Sequence, residues 1–598
     1  MLTWQHLLDF KANEYEEAAD GWGEVSNRAR AARDSVRSAM LAKLRDTQTS
    51  GAAQAAIHDL DQLCRNFQYI HAECGLIRTA LNGFATEITG AQKNLKAALS
   101  EAQQLGFTVK PDGSVEYPMP TAVPFAPRSG NTKSTPPVLA LPAGGESVDS
   151  NKRKAEDIAE RIGAALRGAF EADTRYRSAL SKLKAPRGVQ VNDAVWADAG
   201  QDTKDVQKSA GRYLRKSDIP KGRPPAENKK WWNGLSQEER DQYVALYPAS
   251  VGALDGLPAT VRDEANRVVL AEAHGTTTIQ LENWLKKEPD RYQTYISPYT
   301  GYRVKNGLVE TAEWEKWDEE KRRIEGRLKG MESIQSRFAA SEKSGRPAAY
   351  LIGFDNDGPG HAAISIGNPD TADNVVTFVP GTGANLSTVE DNVQRAEILQ
   401  QRARFASPGS NTASIMWMGY DAPQDLGAAE DKKYADNARG PLSSFLTGIA
   451  AANGGNVNST VLGHSYGTLV AGETMRDHPG LPVDNAILVG SPGIGVDHAK
   501  DLNIPPERVW AATAKNDPIN LVPPQEGAFS ILNPMAYKRL FDDHSILYGV
   551  DPASDDFGGK TFKVADGDPV DSPDFPAHSQ YWENESLEKM GDIVTGRQ

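Results

Sequence analysis

At 598 residues the chain is too long for one hydrophobic core, and two to four units is the natural division. Its 39% apolar and 24% charged residues are an ordinary soluble composition, and a formal net charge of −14 argues against a nucleic-acid partner. The two cysteines, Cys64 and Cys74, lie in one helical stretch about 15 Å apart along its axis, too far for a disulfide, and read as buried small apolar side chains.

Residues 1–106 are nearly free of proline, and Val36, Met40, Leu41 and Leu44 fall at helical spacing. This predicts a helical hairpin or bundle, suited to packing or to binding a protein partner. Residues 107–150 hold prolines at 111, 118, 120, 124, 127, 136, 137 and 142, which predicts a mostly extended linker. A helix over 151–184 is expected to pack back on the first bundle. Residues 185–230 carry Arg212, Arg215, Lys216, Lys221, Arg223, Lys229 and Lys230 and read as a second, basic, solvated linker. Residues 231–344 read as helical, with Ser236 capping a helix that has glutamate in its first turn. That segment is rich in tryptophan and tyrosine, which predicts that it docks on the C-terminal domain and shares its core.

From residue 345 to 598 the pattern changes to short apolar runs alternating with helices. The runs fall at 348–354, 361–366, 375–379, 413–418, 458–463, 485–490, 508–513 and 560–564. Between the later ones lie helical stretches at 387–405, 437–452, 466–477 and 583–595. Asp355-Asn-Asp-Gly-Pro-Gly between the first two runs suits a hairpin turn better than a calcium loop, whose last ligand position is here Ile366. The whole predicts an α/β fold with about eight strands, mostly parallel, preceded by all-helical regions.

Within that frame Gly463-His-Ser-Tyr-Gly467 matches G-x-S-x-G, with an apolar strand entering and an amphipathic helix leaving. The turn would project the Ser465 hydroxyl away from the sheet. A serine needs a base held by an acid, and in this fold the order is Ser, acid, His. Four histidines follow Ser465: His478, His498, His544 and His578. His578 fits best, because it follows the last strand by a loop and precedes the last helix; His544 is second. Asp517, after strand 508–513, is the first choice of acid, with Asp497, Asp542 and Asp543 as alternatives. The oxyanion hole needs two N–H groups, one from Tyr466 and one from the loop after strand 375–379, where Thr382 is preferred to Gly383. The turn at Gly490-Ser-Pro-Gly-Ile-Gly lacks the order of a dinucleotide loop and reads as a βα turn near the active site. No cofactor and no metal is predicted.

The pieces VPGTGAN (379–385), MGYDAP (418–423), GHSYGTLVAGE (463–473), KNDPI (515–519), FGGKTF (557–562) and HSQYWENESLEKMGDIVTG (578–596) resemble an actinobacterial α/β-hydrolase family known as a domain of unknown function. Residues 231–267 are similar to the helical segment preceding the hydrolase in such proteins. The resemblance implies Ser465, Asp517 and His578 as triad. The N-terminal helices loosely resemble the helical hairpins of type VII secretion substrates, and Tyr69-Ile-His-Ala-Glu73 fits their Y-x-x-x-[DE] pattern. The N-terminus lacks a cleavable signal and no stretch suits a spanning helix, so the chain reads as cytoplasmic or as exported by such a route. The function expected is a serine hydrolase acting on a small-molecule or lipid ester. The alternative is a helical interaction or effector protein whose hydrolase domain is degenerate or secondary.

Overall fold

The computed structural model describes residues 2–47, 50–118, 145–185, 188–296, 299, 302–340, 346–521, 545–569 and 576–597. Two compact units divide the chain. One comprises Met1–Arg28, Glu73–Ala185 and Asp202–Lys216; the other comprises Ala29–Ala72, Pro186–Gln201 and Ser217–Gln598.

The first unit is built on helices α1 (Asn13–Ser35), α2 (Gly51–Gln104), α3 (Gly145–Leu180) and α4 (Asp193–Ala210), together with a short hairpin of β1 (Thr108–Val109) and β2 (Val115–Glu116). Helices α1, α2 and α4 each also give residues to the second unit. Phe84, Leu95, Ile158, Ile162 and Tyr176 are buried, and the Tyr176 hydroxyl donates to Glu87 Oε1 at 2.9 Å.

Two expected linkers are shorter than the sequence suggests. Of 107–150, residues 108–116 form the hairpin and the helix already begins at Gly145, while 119–144 lie outside the described residues. Of 185–230, much is helical: α4, and α5 (Pro225–Gly234). Composition misleads here, because Trp196, Ala199, Val206 and Ala210 recur at helical spacing and bury one face while the lysines stay in water. Ser236 caps α6 (Gln237–Leu246) as expected, in a reciprocal box with Glu239.

The boundary at residue 106 also differs. Residues 29–72 belong with the second unit, held by helix α7 (Ala259–Leu285): Glu264 receives His71 Nε2 at 2.8 Å and Arg30 at 3.3 Å. Tyr69 and Glu73 of the export-like motif are both buried, as are both free cysteines.

The second unit is organised by an eight-stranded sheet. Its strands are β5 (Ala349–Asp355), β6 (His361–Ile366), β7 (Asn374–Val379), β8 (Thr412–Met418), β9 (Asn458–His464), β10 (Asn485–Val489), β11 (Val509–Ala512) and β14 (Lys560–Thr561), in the order β14-β11-β10-β9-β7-β8-β6-β5. The β5–β6 and β6–β8 pairs are antiparallel and the rest parallel. A further small hairpin, β12 (Ser545–Ile546) with β13 (Gly549–Val550), stands outside it. The central strands β7, β8 and β10 are buried at every position, because helices cover both faces.

Helices α7 and α8 (Ala312–Ala340) share the sheet's core through Leu270, Ile324, Met331, Ile334 and Phe338. Helices α9 (Val389–Ala406) and α10 (Lys433–Asn453) add Leu399 and Leu442 to the same core. Helix α7 also covers the open edge at β5. Asp263 accepts from Leu351 N at 2.7 Å, Asn266 donates to Leu351 O at 3.0 Å and Arg267 to Ala349 O at 3.2 Å. These bonds satisfy edge groups that would otherwise be free to pair with another strand. Within 231–344, however, two segments pair as antiparallel strands rather than forming helix: β3 (Tyr292–Ile296) and β4 (Arg303–Glu310). The run Tyr-Gln-Thr-Tyr-Ile is rich in strand formers, a local signal that an average over a mostly helical segment hides.

Helix α8 seats so closely that a β-carbon on Gly330 would lie 1.9 Å from the Leu386 carbonyl oxygen. Gly330→Ala should therefore cost about 1–3 kcal/mol, read as a lowered Tm; an unchanged Tm would show that the helix does not seat there.

Burial works against charge on Glu264, but the bonds and charges of His71, Arg30 and Arg33 outweigh it and hold the carboxyl down at about 2. A depressed acid stabilises the fold above its unfolded value of about 4.3 and loses that effect as pH falls through the folded value. The stability gap between wild type and Glu264→Gln, measured by thermal unfolding, should be full at about pH 6 and close steadily between about pH 4 and 2.

Candidate active site

Strand β9 delivers the chain to Ser465, which sits at φ 55° and ψ −131° between β9 and helix α11 (Tyr466–Asp477). A positive φ on a residue with a side chain costs on the order of 1–3 kcal/mol and persists only where the surroundings enforce it. Here Ser465 N–H donates to Val489 O at 3.0 Å, and Thr468 N–H returns to Ser465 O at 2.9 Å. The two motif glycines allow the crossing. A β-carbon on Gly467 would lie 2.1 Å from Val379 O, and one on Gly463 would lie 2.6 Å from Thr468 Cα.

The loop after β7 lies directly on this turn: a β-carbon at Gly381 would fall 2.7 Å from Ser465 Cβ and 2.9 Å from Tyr466 N. Its register is fixed by the Tyr420 hydroxyl, which donates to Pro380 O at 2.7 Å, and by Gly383 N–H, which donates to Pro423 O at 2.7 Å. Gly383 N–H is thus engaged elsewhere, whereas Thr382 is half-buried beside the turn.

Asp517 and His578 meet, as the chain-order argument asks. His578 Nδ1 lies 2.8 Å and 2.9 Å from the two carboxylate oxygens of Asp517, which is fully buried. Two more donors reach that carboxylate: the Tyr581 hydroxyl on Oδ2 at 2.5 Å and Ile519 N–H on Oδ1 at 2.9 Å. Burial pushes the acid up, but the bond and charge of His578, then Tyr581 and Ile519, outweigh it, so Asp517 titrates below the ordinary carboxylate range and stays ionised. Burial and the Asp517 charge together push the Tyr581 phenol far above its usual value, so it remains a donor.

Among the described residues no hydrogen bond joins the Ser465 hydroxyl to His578. The two are brought near one another by His464, the residue before the serine. Its Nε2–H donates to the His578 carbonyl at 2.7 Å, and the two imidazole rings are 4.8 Å apart. Burial, then the neighbouring His578 and Arg395, depress His464 well below the usual histidine value, so it is neutral. The Gly490 turn reaches the same place: a β-carbon there would meet Asp517 Oδ2 at 3.1 Å and His578 Cε1 at 3.2 Å.

The alternatives lie elsewhere. His478 Nδ1 faces Thr474 O, His498 Nδ1 faces Asp556 O, and Asp497 is exposed. His544, Asp542 and Asp543 lie outside the described residues. The Asp355 turn joins β5 to β6, with Asp355 bound to His361 at 2.8 Å. Among the described residues no group of three or more His, Cys, Asp or Glu is placed to hold a metal ion.

One wall of the site is hung on tyrosines. The Tyr466 hydroxyl donates to Asp431 O at 2.7 Å and accepts from Ala435 N at 3.3 Å, its ring packs edgewise on Tyr434 and Tyr548, and the Tyr548 hydroxyl donates to Ala429 O. Neither Tyr581 nor His464 stands out in the sequence as a site residue. The available signal is spacing: Tyr581 follows His578 by three residues, one turn of the short helix Pro576–Trp582.

A mostly parallel sheet with an antiparallel edge, and a strained serine between its strand β9 and a helix, are the features of the α/β-hydrolase fold. Residues 355–527 match the family model of alpha/beta hydrolases. An uncharacterized protein of Mycobacterium tuberculosis is 31% identical over 399 residues, covering 63% of this chain and 56% of the relative. An uncharacterized Mycobacterium bovis protein is 35% identical over 176 residues, 28% of this chain and 65% of that one. The chain thus spans little more than half the length of the longer relative.

Removing the Tyr581 hydroxyl tests the Asp517 network. Tyr581→Phe should lower kcat roughly tenfold with KM nearly unchanged, the size of one charge-assisted hydrogen bond. A purely packing role would lower Tm and leave kcat of the folded protein unchanged.

Proposed function

We propose that the protein is a serine hydrolase that cleaves a carboxylic ester through Ser465, His578 and Asp517. Support for the reading comes from the strained Ser465 backbone at the carboxyl end of β9 and from the His578–Asp517 hydrogen bond. Ser465 Oγ attacks the ester carbonyl carbon and its proton passes to His578 Nε2. The resulting oxyanion takes hydrogen bonds from the N–H groups of Tyr466 and Thr382. Collapse of the tetrahedral adduct expels the alcohol, which receives the proton from His578, and leaves an acyl-serine. Water then attacks, giving its proton to His578, and a second collapse releases the acid and restores Ser465. Asp517 remains ionised throughout, holding the Nδ1–H tautomer and stabilising the imidazolium.

Small-molecule and lipid esters are the substrate class favoured; the same machinery can cleave thioesters and amides. A fluorophosphonate probe should label Ser465 alone, located by peptide mass spectrometry. Ser465→Ala should abolish labelling and lower hydrolysis of p-nitrophenyl esters by roughly 10³-fold or more, with the best chain length reporting the acyl pocket. Labelling that persists in Ser465→Ala would sink the assignment. A wild-type protein inert to every ester in the series would favour the reading in which the hydrolase domain is secondary to the helices.

A further inference from the structure

The hairpin of β3 and β4 breaks the rule that large apolar side chains seek the core. All five residues of Tyr292–Ile296 are exposed, and the ribbon carries Tyr292, Tyr295, Ile296, Tyr299, Tyr302, Val304 and Leu308 in water. These are seven of the sixteen exposed large apolar side chains among the described residues, gathered within seventeen positions, with Tyr299 at 96% and Tyr302 at 78% exposure. Such a concentration marks an interaction surface.

The base of the ribbon is pinned. Arg291 bonds Glu310 at 2.9 Å and stacks over Trp314 at 4.3 Å, and Thr311 N–H donates to Arg291 O at 2.9 Å. Its exposed side chains lie on both faces. Thr294 pairs with Leu308 and Tyr292 with Glu310, which puts Tyr292 and Leu308 on one face. A β-carbon at Gly307 would fall 3.3 Å from Tyr295 Cβ and 3.0 Å from Val304 Cβ, which puts Tyr295 and Val304 on the other. A rigid protein partner covers one face of a two-stranded ribbon; a fluid interface wets both.

Beyond the base, where Glu310 is paired with Arg291, residues 292–308 include Arg303 and Lys305 and no aspartate or glutamate, in a chain of net charge −14. Tyrosine rings favour the headgroup level of a bilayer, where the ring is apolar and the hydroxyl stays wet. The backbone amides of a paired ribbon are already satisfied in part, so shallow insertion exposes few bare polar groups. Among the described residues no helix is long and apolar enough to cross a membrane, so the contact is peripheral.

We propose that the β3–β4 hairpin docks the protein on an anionic lipid surface by inserting its tyrosine and aliphatic side chains between headgroups, with the positive charge of the segment drawn to the lipid phosphates. This does not depend on the hydrolase reading, and the test is run on both the wild-type chain and Ser465→Ala. In co-sedimentation, both should bind vesicles of phosphatidylcholine with about a third phosphatidylglycerol far better than phosphatidylcholine alone, and release as salt rises. Arg303→Gln with Lys305→Gln should weaken binding roughly tenfold or more, about fivefold per cation. Ile296→Ser, Tyr299→Ser, Tyr302→Ser and Leu308→Ser combined should abolish it with Tm unchanged, since every one of these side chains is exposed. The proposal is overturned if the wild type stays in the supernatant with anionic vesicles, or if the serine variant binds as well as wild type. It is equally overturned if the hairpin substitutions abolish self-association in light scattering while vesicle binding is absent, which would make the partner a second protein surface.

Discussion

The close crossing of β9 and α11 is the constraint on which the Ser465 end of the sheet rests. A strand and a helix can meet at one residue only if neither carries a β-carbon at the contact, and Gly463 and Gly467 meet that condition against Thr468 and Val379. With the crossing fixed, Ser465 has no relaxed conformation to fall into, and its strain is held by the sheet rather than by the site. The loop at Gly381 is drawn in by the same economy of space. Ser465, the candidate donors at Thr382 and Tyr466, and β7 with β9 therefore form one closely packed block.

Against that block the acid–base pair is placed by hydrogen bonds. Asp517 is a fully buried carboxylate, and it is tolerated because His578, Tyr581 and Ile519 N–H all donate to it. Tyr581 in turn accepts from Ala514 N–H at 3.1 Å, so the phenol ties the end of β11 to the segment that carries His578. His464 closes the loop from the other side by holding the His578 carbonyl. Each polar group in this chain of contacts has a partner, which is the condition under which a low-dielectric network stiffens a site.

The sheet was legible because each strand is a short apolar run bounded by turn residues, and β6 and α11 begin and end where the residue pattern changes. The order of motifs along the chain singled out Ser465, Asp517 and His578, and the last two do meet. What escaped was whatever depends on a residue's partner rather than its neighbours. Tyr581 is one more aromatic until Asp517 stands opposite its hydroxyl. The averages over 185–230 and 231–344 concealed α4 and the β3–β4 hairpin, because charge and aromatic content say how much surface a segment has to bury or show, and nothing about which. Tyr292, Tyr295, Tyr299 and Tyr302, expected to help fill a shared core, are exposed, while Trp284 and Trp317 exchange indole-to-carbonyl bonds at 3.1 Å against that core. The division of the chain at residue 106 failed for a similar reason, since His71 and Arg30 reveal their allegiance only through Glu264, far along the chain.

The segment 429–435 is tied to the turn at Ser465 through three main-chain groups. Tyr466 and Tyr548 bind the carbonyls of Asp431 and Ala429 and the amide of Ala435, groups that every residue other than proline supplies in full. A clasp of this kind is blind to side-chain identity. Outward side chains of the segment can change without breaking those three bonds, while Asp431 keeps a further role, accepting from Lys433 N–H at 2.9 Å at the start of α10. The frame at Ser465 and the outer surface of 429–433 are thereby specified separately, and the surface can be varied while Tyr434, Tyr466 and Tyr548 keep the frame.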